Sequence, residues 1–159
     1  MVYDPSLGFT TGGGWFYWPG TDDRTNFGYT MKYNRKATNV QGSLLMIRHY
    51  REGYSETIYR VKSNALYGLA IGSVSNLEQY GWASFSGKSV YFEPGMAQPE
   101  GNHVFNVYVE DRNEPGRGFD KFWIHVEHGI SMNTPAPANA IEIEGGNIFV
   151  PHTPASTRK

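Results

Sequence analysis

The chain has no cysteine, which excludes a disulfide framework, a thiolate metal site and a thiol nucleophile. It has no apolar run approaching the roughly 20 residues needed to span a bilayer as a helix, so no membrane insertion is expected. It has almost no net charge, formally −1 at pH 7, and so no overall electrostatic footprint of a nucleic-acid partner. Nowhere do apolar residues recur at a 3.6-residue period over about 12 positions, so long amphipathic helices are excluded. Catalytic signals are equally scarce. There is no G-x-S-x-G elbow. The strand-like stretches hold too few carboxylates to nominate an acid/base pair. His125 and His128 have H-x-x-H spacing, but a strand sends them to opposite faces. Met1 opens no charged-then-apolar leader, which leaves a cytoplasmic protein or a fragment of an exported one.

What the chain does have is aromatic residues, at 15%, with 11 tyrosines, and 19 glycines in 159 residues. Aromatics fit pleated surfaces, and glycine supplies turns. Apolar residues alternate with period two almost throughout. This predicts strands near 8–18, 25–33, 42–50, 56–62, 65–73, 80–92, 103–110, 119–128, 139–144 and 147–150. SVSNLEQYGW, 73–82, has room for one helical turn. MNTPAPANA, 132–140, reads as an extended connector to a last hairpin turned by EGG at 144–146. The fold class expected is all-β: an antiparallel β-sandwich of jelly-roll type over residues 1–152, with a closed barrel as the alternative. Residues 153–159 read as a disordered tail or linker.

The opening stretch GFTTGGGWFYWPG, 8–20, resembles a phosphate loop only in its glycines. A phosphate loop ends in Lys and Ser/Thr and opens a helix, and here Trp15-Phe16-Tyr17-Trp18 follows as a strand. Gly12, Gly13 and Gly14 instead mark a place where a ring or a neighbouring backbone lies flat on bare chain.

Four blocks run in order. They are GFTTGGGWF, RTNFGYTMKYNRKATNVQGSL, GNHVFNVYVEDRNEPGRGFDKFWIHV and AIEIEGGNIFVPH. Together they resemble the post-COAP-1 domain, a bacterial exported β-domain, over roughly residues 8–152. Thr10 stands where that pattern carries an aliphatic, and 51–100 departs further from it. The resemblance implies an accessory module of a larger secreted or cell-surface bacterial protein, beside adhesin-like or repeat domains. It supplies no catalytic residues. Partners on this reading are other domains of the parent protein or neighbouring copies.

Two candidate sites come from the residues themselves. EDRNEPGRGFD, 110–120, gathers Asp111, Asn113, Glu114 and Asp120 on a glycine-bent loop. Hard oxygen donors of this kind suit Ca²⁺. The competing reading is a solvated turn, with Arg112, Arg117 and Lys121 neutralising the acids. The strands on either side supply the second site. If they pair as a hairpin, Asn106, Tyr108, Trp123 and His125 share the outer face. An aromatic and polar face suits a glycan or a protein partner, unless a loop covers it. Lys32 and Lys121 lie on strands and are candidates for an isopeptide crosslink without an assignable partner. The function expected is a non-catalytic structural or adhesion module, with Ca²⁺ as its cofactor. A carbohydrate-binding module is the alternative.

Overall fold

The computed structural model describes residues 9–33, 39–75, 79–112 and 120–150. Nine strands and one helical turn follow in order: β1 (Phe9–Tyr17), β2 (Arg24–Tyr33), β3 (Val40–Glu52), β4 (Ser55–Ser75), β5 (Gln79–Phe92), β6 (Glu100–Asp111), β7 (Lys121–Val126), α1 (Ala136–Asn139), β8 (Ile141–Glu142) and β9 (Gly145–Phe149). They form one antiparallel sheet in the order β8-β7-β6-β5-β4-β3-β2-β1-β9. The all-β antiparallel class is the one the alternation predicts. The arrangement differs from a jelly roll. A jelly roll needs two sheets joined by crossovers, and here each strand from β1 to β7 pairs with the next in a single curled meander.

Alternation decides which side faces the core. In β2, Thr25, Phe27, Tyr29 and Met31 are buried, while Arg24, Asn26 and Thr30 are exposed. In β5 the buried set is Gly81, Ala83, Phe85, Gly87, Ser89 and Tyr91. The curl brings distant strands together. Phe122 of β7 stacks on Phe27 of β2 with ring centroids 4.4 Å apart and packs 5.4 Å from Phe16 of β1. Each such pair contributes about 0.5–1.5 kcal/mol beyond its area burial.

Two of the predicted strands are one. β4 runs through the expected break near 63–64, but its register against β5 shifts between Ser63 and Ala65 and again between Leu66 and Gly68. Bulges bend a strand. β3 accordingly pairs with β4 only as far as Leu45↔Lys62. The connector at 132–140 is also not simply extended: Ala136–Asn139 makes one helical turn. Of the turn foreseen at 73–82, residues 76–78 lie outside the described residues, and the rest is strand. The expected tail, 153–159, also lies outside them.

The final hairpin does not form. β8 pairs with β7 and β9 pairs with β1, at opposite ends of the sheet order. The chain therefore crosses the seam of the curl between them. Ile143 N–H donates to the Asp120 carbonyl (2.9 Å), and Glu144 N–H donates to the Trp15 carbonyl (2.8 Å). Consecutive residues thus tie the two ends of the sheet together. No described helix is long and apolar enough to cross a membrane.

Candidate functional site

The glycine-aromatic opening is structural. Gly12 lies under the ring of Tyr29, and a Cβ there would meet the ring at 2.8 Å. Gly14 is opposite Gly146 and would place a Cβ 2.1 Å from the Gly145 carbonyl oxygen. Gly146 itself has φ +97°, in a region that L side chains rarely adopt. The bare backbone lets β1 and β9 pair at the seam, with Trp15 packed over Gly145.

The acidic loop divides in two. Asn113 and Glu114 lie outside the described residues. Asp111 and Asp120 are buried, with 2% and 0% exposure. Asp120 accepts from Arg112 N–H through Oδ1 (2.7 Å) and from Ile148 N–H through Oδ2 (2.9 Å). Asp111 accepts from Val150 N–H through Oδ2 (2.9 Å). These carboxylates meet alternate amides, that of Ile148 on the outer edge of β9 and that of Val150 just past its end, where a neighbouring strand would otherwise supply carbonyls. They are placed as seam fasteners. No group of three or more His, Asp or Glu side chains with metal-ligand geometry occurs among the described residues.

The β6–β7 face pairs as its sequence predicts, with Asn106↔His125 and Tyr108↔Trp123 in register. Trp123 is nevertheless covered. Its exposure is 7%, and its Nε1–H donates to the Asn133 carbonyl (2.7 Å) as the segment around α1 passes over β7. The His125 ring stacks on it at 6.1 Å. Tyr108 is half-buried, stacked 6.4 Å from Trp82, and its hydroxyl donates to Glu110 Oε2 (2.6 Å). Burial first, and the bond to Glu110 second, hold the Tyr108 phenol well above its ordinary range. It therefore remains a donor at neutral pH. The other oxygen of Glu110 takes Arg112 Nε (2.6 Å), whose guanidinium lies 3.8 Å from the Tyr80 ring centroid.

Beside this network is a cleft of about 390 Å³. Its floor is the outward side of β4–β6: Gly68, Ala70, Ser84, Ser86 and Asn106. Tyr108, Trp123 and Ala136 form one wall. Tyr33 closes the opposite side, and its hydroxyl donates to the Leu69 carbonyl. The four glycan-face candidates come together, three of them on the cleft and His125 behind Trp123. Tyr33, Ser84 and Ser86 were missed. Their signal was the small outward residues in YGLAIG and WASFSG, which becomes a floor only once β4 and β5 are known to pair.

No family model matches the chain, and no curated protein or solved structure matches it.

Proposed function

We propose that this chain is a non-catalytic binding module of a secreted or cell-surface protein, and that its cleft on β4–β7 takes a neutral saccharide. The cleft is the observation that carries this reading. About 390 Å³ lies in the range of small-ligand pockets. Its lining combines the aromatic residues Tyr33, Tyr108 and Trp123 with the hydroxyls of Ser84 and Ser86 and the Asn106 amide, and contains no charged group. Sugar rings present C–H faces to aromatics and hydroxyls to such polar groups. Asn106 is exposed, and it offers both a donor and an acceptor. The four ordered blocks resembling an exported β-domain support the location.

The test is a screen of neutral mono- and disaccharides by ligand-observed NMR, followed by calorimetry on Asn106→Ala and Ser86→Phe. Loss of one directional hydrogen-bonding group is expected to weaken binding about tenfold, near 1.4 kcal/mol. Filling the floor is expected to abolish it. Saccharide binding unaffected by Ser86→Phe would move the site elsewhere. No binding at all would leave a structural module.

A further inference from the structure

The net charge of −1 conceals a segregation by face. Outward positions of β2–β5 carry Arg24, Lys32, Arg51, Arg60, Lys62 and Lys88. Glu56, in register with Arg51, is the one acid among the described outward side chains of β1–β5. Among the described residues none of these cations has a carboxylate within ion-pair distance. Two of them are held by rings instead. The Arg24 guanidinium lies 4.2 Å from the Trp15 ring centroid, and that of Arg60 lies 6.0 Å from Phe92. Register connects them. Trp15, Asn26, Ile47, Arg60 and Phe92 form one row across β1–β5, and Arg24 and Lys62 stand one row away on opposite sides. Rows are about 6.8 Å apart and strands about 4.8 Å, so Arg24, Arg60 and Lys62 run diagonally over the sheet, with Lys32 and Arg51 to either side.

We propose that this outer face of β1–β5 binds an acidic polysaccharide, one bearing sulfates or uronate carboxylates along an extended chain. It is a second site, independent of the neutral cleft on β4–β7. Charge complementarity requires an anion, and a diagonal of cations, two of them held by rings, suits a repeating one. The geometry disfavours nucleic acid. Single strands stack on free aromatic faces, and here guanidinium groups lie over Trp15 and Phe92, which leaves Tyr17 as the exposed ring of β1. Duplex grooves are read by a protruding element, and this face is a sheet without one. Guanidinium groups resting on rings are pre-placed for anionic oxygens, so less side-chain freedom is lost on binding.

The experiment measures binding of the whole chain to heparin, polygalacturonate, dextran and oligothymidylate at about 0.05 M salt, where screening is weak. Lys62→Gln and Lys121→Gln each remove one positive charge, and Lys121 lies on β7, away from the patch. Binding to heparin or polygalacturonate is expected, with none to dextran. Lys62→Gln should weaken it about threefold and Arg60→Gln with Lys62→Gln about tenfold, while Lys121→Gln leaves it unchanged. The proposal fails if neither acidic polymer binds, if Lys62→Gln and Lys121→Gln lose affinity equally, or if oligothymidylate binds tighter than both polysaccharides. Melting temperatures of the variants, all outward-facing substitutions, show whether each is folded.

Discussion

Glu110 and Asp111 are neighbours on β6, both carboxylates and both 2% exposed, yet they serve different regions. Asp111 turns to the seam and takes the backbone amide of Val150. Glu110 turns outward and takes the Tyr108 hydroxyl and the Arg112 guanidinium. The donors decide the role. The amide of Val150, just past β9, has no strand beside it, so its carboxylate replaces a missing ladder partner and becomes part of the fold. Side-chain donors are interchangeable, so the outer carboxylate can brace a cleft wall without the sheet depending on it.

The comparison breaks most readily at the seam. Asp120 accepts from two amides at 0% exposure. Asp120→Ala removes the acceptor that both amides share and leaves that of Ile148 unpaired in a buried site, at a cost of about 3–5 kcal/mol. The melting temperature is expected to fall by about 10 °C or more. Hydrogen exchange at the Ile148 amide should rise towards that of exposed backbone. An unchanged melt would show that β1 alone holds β9.

This division of the carboxylates was not legible in the sequence, whereas the strands largely were. Period-two alternation suffices to place β2, β5 and β6, because each buries one face along most of its length. It also gave the Tyr108↔Trp123 pairing, which is a local consequence of a hairpin. What failed is non-local. AIEIEGGNIFV looks like a hairpin because Glu-Gly-Gly is good turn chemistry, but its two halves find better partners in β7 and β1. Trp123 read as an exposed aromatic because the segment that covers it, Asn133 to α1, is polar and proline-rich. For Asp120, spacing shows oxygens suited to a metal but not the amides that reach them.

A smaller effect separates the outer region. Tyr108→Phe removes the donor to Glu110 Oε2 and keeps the ring against Trp82. The expected loss is about 1–2 kcal/mol, a fall of roughly 3–6 °C. The same variant carries a pH signature. The folded-state pKa of Tyr108 is raised, chiefly by burial, above the ordinary 10.0, as are those of Tyr29 and Tyr91. The unfolded chain therefore releases these protons first. Their stabilising contribution is complete below about pH 10 and is lost as pH rises from there through the folded values. Melting temperature should be flat from neutral pH to about 10 and then fall. The fall should be shallower in Tyr108→Phe, and an equal slope in both proteins would mean that the Tyr108 hydroxyl is freely solvated.

The smallest expected effect is that of calcium. A ligand that binds only the folded state raises stability by RT ln(1 + [L]/Kd), or about 2.7 kcal/mol at a hundred times Kd. Such a shift requires oxygens free to coordinate. Asp120 already uses both of its oxygens on amides, and Asp111 uses Oδ2. Coordination by Asp120 would have to displace a backbone amide from a buried carboxylate, and the cost of that unpaired amide would offset the gain from the ion. Millimolar calcium and excess chelator are therefore expected to move the melting temperature by less than about 1 °C. A rise of several degrees, abolished by Asp111→Asn, would instead make the 110–120 loop a metal site. It would also join the two regions, because the same carboxylate would then hold both an ion and the seam.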